Sequence, residues 1–134
     1  PGRLEIMDSS RGAIIINDSY NANPSSMRGA IDVLASMKGT KILVIGDMAE
    51  LGNNTNKYHQ ELGDYIKTSQ IDFTLAVGRH TKITMQQLDK NKFWFDSKEA
   101  LLSKLLKIID SKSIILVKGS RFMRMEEVVS KIIL

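Results

Sequence analysis

The sequence predicts an α/β domain in which a mostly parallel sheet carries helices on both faces and begins with an antiparallel strand pair. Short apolar runs rich in Ile, Val and Phe recur along the chain, and each is too short for a helix of ordinary length. Segments with helical spacing lie between them, and this alternation is typical of a parallel sheet. The predicted strands are Ala13–Ile16, Ile42–Ile45, Phe73–Val77, Phe93–Phe95 and Ile114–Val117.

The antiparallel pair is expected at the N-terminus. Residues Arg3–Met7 alternate polar and apolar side chains, as a strand with one exposed face does. The residues Asp8-Ser9-Ser10 favour a turn that leads back into the next apolar run. This pair therefore forms an edge of the predicted sheet.

The first helix is predicted from Asn23-Pro24 to Lys38-Gly39. Asn is a favoured N-cap, and Pro fits the first helical position because an N–H there would have no helical partner. A cation followed by glycine is typical of a helix end. Further helices are predicted at Asn56–Thr68, from the cap Ser97 through Ile109, and at Met123–Ile133, while Arg79–Leu88 stays open between helix and loop.

Length and composition exclude several classes of protein. The 134 residues suffice for one domain with a core, and no apolar run approaches the ~20 residues of a membrane span. The chain has no cysteine and two histidines, which argues against disulfides and zinc cages and fits a reducing cytoplasm. Because it starts at Pro1 with neither an initiator Met nor a signal-peptide profile, we expect it to be part of a longer protein.

Polar residues follow the predicted strands, where a Rossmann-like sheet binds its ligands. In open α/β sheets, helix N-termini and loop amides converge at the carboxyl ends of the strands. Most of these segments pair a charged side chain with a glycine or a small polar residue, which suits a nucleotide or an anionic substrate. The segments are Asn17–Asn21, Gly46–Met48, Gly78–His80, Asp96–Ser97 and Lys118–Arg121.

Three familiar motifs are missing from the sequence. It contains no G-x-x-x-x-G-K-[ST] phosphate loop, no G-x-G-x-x-G dinucleotide turn and no G-x-S-x-G nucleophile elbow. The chain therefore does not bind ATP phosphates in the usual P-loop manner, and a self-contained hydrolase is disfavoured.

Four separated strings resemble the C-terminal domain of the Mur ligases. They are Pro1–Glu5 (PGRLE), Asn17–Arg28 (NDSYNANPSSMR), Gly46–Gly52 (GDMAELG) and Val117–Glu126 (VKGSRFMRME). They occur in order and with fitting gaps along essentially the whole chain. The best fit is the MurF type, which joins D-alanyl-D-alanine to UDP-N-acetylmuramoyl-tripeptide.

The resemblance implies a cell-wall ligase with three domains, of which this chain would be the last. The N-terminal domain would hold the UDP-linked precursor, and the central domain would supply the P-loop, a carbamylated lysine and the Mg²⁺ ligands. ATP would phosphorylate the precursor's terminal carboxylate, and the dipeptide amine would attack the acyl phosphate. The C-terminal domain would close over ATP and hold the acceptor, with no catalytic residue of its own and no activity alone.

The resemblance also assigns roles to individual residues. Arg3 resembles an arginine that reaches the ATP phosphates, and Asp18 resembles a carboxylate that accepts hydrogen bonds from the ribose. A guanidinium fork matches phosphate oxygens, and sugar hydroxyls donate well to a carboxylate. The remaining assignments are Tyr20, Asn21 and Asn23 on the nucleotide side and Lys118, Ser120 and Arg121 on the acceptor side.

One position departs from the family pattern. Members often have glycine after K-G-S-R, whereas this chain has Phe122. We expect either a less tightly turned loop or a phenyl ring that packs beneath it.

Simpler interpretations of the same residues stay open at this point. Arg3 could be an exposed cation at a strand end, Asp18 a turn cap, and Asn23 only the helix cap. His59 is expected on the surface or in the core and not as a catalytic base. Lys118 and Arg121 could be solvated charges that flank a strand.

Two other functions also remain open. A Rossmann-like sensor of a nucleotide or small anion would use the same strand-end rim and would bind its ligand tightly as an isolated chain. A nucleic-acid-binding or partner-docking domain is suggested by the net charge of +4 and the pI of about 9.4. The basic residues are scattered, however, and not massed in one block.

Overall fold

The computed structural model describes residues 1–134 and contains one six-stranded sheet with the strand order β1-β2-β6-β3-β4-β5. β1 is antiparallel to β2, and all the other neighbours are parallel. The predicted α/β class, the mostly parallel sheet and the antiparallel N-terminal pair are confirmed. The strands are β1 (Glu5–Asp8), β2 (Ile14–Asp18), β3 (Thr40–Ile45), β4 (Phe73–Val77), β5 (Lys92–Phe95) and β6 (Ser113–Lys118).

Alternate residues of the central strands pack into two separate cores, one on each face of the sheet. Leu43 and Leu116 belong to the core beneath α1 (Pro24–Ala35), α2 (Thr55–Lys67) and α3 (Thr81–Gln86), together with residues of those helices. Val44 and Val117 belong to the core beneath α4 (Lys98–Ile108) and α5 (Glu126–Ser130). Because β3 and β6 are buried on both faces, their sequences are nearly continuous apolar runs.

The N-terminus of α1 is the predicted one, and its C-terminus is not. Asn23 caps the helix, because its Oδ1 accepts the Ser26 N–H at 2.8 Å while the Ser26 Oγ accepts the Asn23 N–H at 3.0 Å. The predicted end at Lys38-Gly39 is wrong, since the helix ends at Ala35 and Ser36 is its C-cap. Gly39 instead lies in the turn into β3, where a Cβ would meet the Lys112 carbonyl oxygen at 2.5 Å.

The open segment Arg79–Leu88 contains the short helix α3, which packs on α2. The two helices are in close contact at Gly63, where a Cβ would lie 2.3 Å from the carbonyl oxygen of Thr84. Glycine in the middle of α2 therefore permits a helix contact that a larger residue would block.

The last predicted helix, Met123–Ile133, is too long. Residues Arg121–Met123 form a 3₁₀ turn, and Arg124 has a left-handed φ of 50° that interrupts the helical path before α5 begins at Glu126. α4 follows the prediction closely, with the Ser97 Oγ accepting the Ala100 N–H at 3.1 Å. None of the helices has the length and apolar character that crossing a bilayer requires.

Candidate nucleotide site at the carboxyl edge of the sheet

A buried ion pair joins the carboxyl ends of β2 and β6. Asp18 and Lys118 are register partners on these adjacent parallel strands, so their side chains emerge on the same face, toward α1. The Lys118 Nζ donates to the Asp18 Oδ2 at 2.8 Å and to the carbonyl oxygen of Asn21 at 2.8 Å. Only 4% of the Lys118 side chain is exposed. The pair therefore fixes the end of β2 to the loop that leads into α1.

The segment before β1 crosses the end of β2 and is held there by two hydrogen bonds. The Leu4 N–H donates to the Asp18 Oδ1 at 3.1 Å, and the Tyr20 N–H donates to the Gly2 carbonyl oxygen at 2.8 Å. Gly2 and Leu4 adopt left-handed φ values of 75° and 45°. Leu4 has a conformational cost there that glycine does not, and the bond to Asp18 helps to hold it in place. Arg3, which lies between them, is thereby fixed beside the same strand end.

These elements enclose an open cleft of about 620 Å³, a volume in the range of small-molecule sites. The predicted residues Arg3, Asp18, Tyr20, Asn21, Asn23 and Lys118 all line it. One face of α1 forms the opposite wall through Ser26, Gly29, Ala30 and Val33. Three separate parts of the chain, namely Arg3, the segment 18–23 and Lys118, thus meet in one cleft.

Inside the cleft, charged groups and apolar surface are placed for different parts of a ligand. The Arg3 guanidinium stacks over the Tyr20 ring at 4.2 Å from its centroid, which orients the cation while leaving its N–H edges free. Each Asp18 oxygen accepts one hydrogen bond and retains a lone pair for another. The cleft therefore suits a molecule with an anionic group, neighbouring hydroxyl donors and an apolar part.

A second cluster of polar residues lies at the ends of β3 and β4. The Asp47 Oδ1 accepts the His80 N–H at 3.0 Å and the Thr81 N–H at 2.9 Å, so Asp47 caps α3 from a distant loop. Gly78 has a φ of 117°, and a Cβ there would lie 2.4 Å from the Asp47 Oδ1. The carbonyl oxygen of Asp47 accepts the Ser120 N–H at 2.8 Å. Asp47 thus connects three strand-end loops.

His59 lies in the core and supports the Asp47 loop. The imidazole is fully buried, its Nε2 accepts the Met48 N–H at 3.1 Å, and its Nδ1 donates to the Thr55 carbonyl oxygen at 2.7 Å. These partners require the neutral ring, and burial lowers the pKa of His59 against the smaller opposing effects of the Thr55 carbonyl and Asp47. The prediction of a surface or core role is confirmed as a core role. The sequence signal was its spacing from the buried Leu62, Gly63 and Ile66 on one helix face.

The predicted acceptor residues do not lie together. Lys118 was grouped with Ser120 and Arg121, but its ammonium lies in the cleft with Asp18. Ser120 is buried beneath the loop after β3, and Arg121 is exposed and paired with Glu126. Phe122 is 87% exposed, so the expectation that its ring packs beneath the loop is wrong. The 3₁₀ turn and the left-handed Arg124 close the loop instead and leave the ring in solvent.

The residues present do not fit a resident metal ion. No group of three or more His, Asp or Glu side chains is close enough together to bind one. The carboxylate of Asp18, the acidic group in the cleft, is held by the Lys118 ammonium and the Leu4 N–H.

The fold and the cleft define a class of protein, a Rossmann-like domain with a cleft at the carboxyl edge of its sheet, where domains of this class bind their ligands. Residues 2–121 match the family described as "Mur ligase, glutamate ligase domain". The chain belongs to this Mur ligase family.

Several of its relatives bear the name of one ligase activity. A UDP-N-acetylmuramoyl-tripeptide–D-alanyl-D-alanine ligase of Escherichia coli (strain K12) is 41% identical over 96% of this chain and 29% of its own length. Crystal structure I of MurF from Acinetobacter baumannii is similar to this chain, with a TM-score of 0.90 and 32% identity. The match covers 97% of this chain and 29% of that one. The structure of MurF ligase from Thermotoga maritima in complex with ADP is similar to this chain, with a TM-score of 0.83 and 27% identity. The match covers 97% of this chain and 30% of that one. The chain thus spans less than a third of the length of these relatives.

Proposed function

We propose that this chain is the ATP- and acceptor-binding domain of a ligase that joins D-alanyl-D-alanine to UDP-N-acetylmuramoyl-tripeptide in peptidoglycan precursor synthesis. The observation that carries the proposal is the meeting of Arg3, Asp18 and Lys118 in one cleft of nucleotide size. The Escherichia coli relative bears the name of this activity, and the Thermotoga relative was solved with ADP.

In this proposal the cleft holds ATP from the side opposite the phosphate loop of a central domain. The Arg3 guanidinium faces the phosphates, since its free N–H edges form charge-assisted bonds with phosphate oxygens. Asp18 accepts the ribose hydroxyls through its remaining lone pairs, and Lys118 keeps that carboxylate in one orientation. Tyr20, Asn21 and Asn23 line the nucleotide side of the cleft.

ATP supplies the phosphoryl group that activates the terminal carboxylate of the UDP-linked precursor as an acyl phosphate. This chain contributes binding and closure, while central and N-terminal domains supply the phosphate loop, the Mg²⁺ ligands and the precursor site. Ser120 and Arg121 belong to the acceptor side: the buried Ser120 supports the loop, and the exposed Arg121 cation exchanges Glu126 for the dipeptide carboxylate. Because the ligase uses ATP, we propose that it acts in the cytoplasm.

The sharpest test compares Arg3→Ala and Asp18→Asn in the full-length ligase. Each substitution removes charge-assisted hydrogen bonds worth ~1.5–3 kcal/mol, so we expect the KM for ATP to rise by about 10- to 100-fold. The KM for D-alanyl-D-alanine should change by less than about threefold, because neither residue faces the acceptor. Steady-state kinetics with each substrate varied in turn measures both values.

The matched control is Arg11→Ala. Arg11 is an exposed arginine in the turn between β1 and β2, and its side chain donates only to the carbonyl oxygen of Leu106. Its loss should leave both KM values unchanged. An ATP KM that is the same in wild type, Arg3→Ala and Asp18→Asn would refute the assignment of the cleft.

A further inference from the structure

We propose that Asp47 and His59 are positioning residues for the acceptor half of the ligase reaction, because together they fix the loop after β6 that carries Ser120 and Arg121. This inference rests on the proposed function, but it concerns residues outside the nucleotide cleft. Neither side chain contacts the cleft, and each acts through the backbone of another residue.

The loop after β6 is bonded to the loop after β3 on both sides of Gly119. The Gly46 N–H donates to the Lys118 carbonyl oxygen at 2.8 Å, and the Ser120 N–H donates to the Asp47 carbonyl oxygen at 2.8 Å. Gly46 and Gly119 also pack backbone to backbone, since a Cβ on Gly119 would lie 3.2 Å from the Gly46 Cα. A shift of Asp47 therefore moves Ser120 directly.

The side chain of Asp47 prevents such a shift. Its Oδ1 accepts two backbone N–H groups at the start of α3, those of His80 and Thr81. Its contact with Gly78 is so close that no side chain fits between them. The loop after β3 is thereby anchored to the end of β4.

His59 fixes the next peptide of the same loop from α2. Its Nε2 accepts the Met48 N–H in a fully buried position, where an unpaired N–H would be costly. The second ring nitrogen donates to Thr55, so the imidazole cannot rotate without losing both bonds. Asp47 is thus held by its own side chain and, one residue later, by His59.

The residues that line the cleft have separate anchors. Asp18 is held by Leu4 and Lys118, and the Lys118 backbone lies in the β2–β6–β3 ladder. Loss of the Asp47 or His59 bonds should therefore disturb the acceptor loop and leave the ATP contacts in place. This difference separates a positioning role from general stabilisation.

The experiment measures KM for D-alanyl-D-alanine and for ATP in the full-length ligase with Asp47→Ala, Asp47→Asn, His59→Leu and His59→Gln. We expect Asp47→Ala and His59→Leu to raise the KM for the dipeptide by about 10-fold and to leave the KM for ATP within about twofold. In Asp47→Asn and His59→Gln, the KM for the dipeptide should return most of the way to the wild-type value, because an amide oxygen can accept the same N–H groups.

Three results would overturn the inference. These are an unchanged dipeptide KM in the Ala and Leu variants, an equal rise in both KM values, and no rescue by the amide variants. If Asp47→Ala does not fold, the His59 pair carries the test, because leucine preserves most of the buried volume. A wild-type enzyme without ATP-dependent ligation refutes the proposed function instead, so the two failures are distinguishable.

Discussion

At the scale of single residues, the buried pair of Asp18 and Lys118 shows what local sequence cannot reveal. Both residues lie in polar segments that follow apolar runs, so their place at a strand end was predictable. Their partnership was not, because it depends on the register between β2 and β6, strands that are 100 residues apart. The same register explains why Lys118 lies with Asp18 and not with its sequence neighbour Arg121.

We expect His59 to make the stability of the domain depend on pH. Burial lowers its pKa in the folded state, whereas the unfolded chain has the ordinary value near 6.5. Below that pH the His59 side chain is protonated in the unfolded state but stays neutral in the folded state. Stability is therefore complete above about pH 6.5 and falls as the pH drops toward the folded-state pKa, by at most ~1.4 kcal/mol per pH unit.

Urea unfolding of wild type and His59→Gln at several pH values between 5 and 8 measures this effect. The glutamine variant keeps an acceptor for Met48 but does not titrate, so its stability should fall less steeply below pH 6.5. The neighbouring Asp47 and His80 are present in both proteins, and their contributions cancel in the comparison. Identical pH dependence in the two proteins would show that His59 is not held neutral.

At the scale of elements, boundaries set within one helical turn were predicted better than boundaries set by contacts with other parts of the chain. The caps Asn23 and Ser97 act within one turn of their own helices, and both were predicted correctly. The end of α1 and the interruption at Arg124 depend on how the chain approaches other elements. Gly39 is required by the carbonyl of Lys112 and not by the helix, which is why it marked the wrong boundary.

Two helical glycines should respond in opposite ways to alanine. In α1, a Cβ on Gly29 would meet no atom within 4 Å, so Gly29→Ala should raise the free energy of unfolding by about 0.5–1 kcal/mol. In α2, a Cβ on Gly63 would collide with the Thr84 carbonyl, so Gly63→Ala should lower it by about 1–3 kcal/mol despite the better helix propensity. Urea unfolding at neutral pH measures both changes. Stabilisation by Gly63→Ala would mean that α2 and α3 do not pack this closely.

At the scale of the whole molecule, the cores and the cleft differ in how far they are enclosed within this chain. Each face of the sheet has its own buried core, of 16 and 15 residues, and both are formed entirely within this chain. The cleft, in contrast, is open to solvent, and its lining contains a single arginine, the exposed Arg3. The strand-end rule predicted where the cleft lies, whereas its shape depends on the path of Gly2–Leu4 across β2.

The isolated 134-residue chain should therefore fold, bind ATP weakly and catalyse nothing alone. A few contacts of the kind proposed for Arg3 and Asp18 would supply about 4 kcal/mol, which corresponds to a Kd of ~1 mM. Calorimetric titration with ATP, and phosphate release in the presence of D-alanyl-D-alanine, measure the two properties, and Arg3→Ala should weaken the binding further. Micromolar binding would favour an independent nucleotide sensor, and steeply salt-dependent binding to a generic DNA duplex would favour a nucleic-acid-binding domain. Ligation by the chain alone would contradict the proposal that a central domain supplies the phosphate loop, because the phosphate-binding groups would then have to lie within these residues.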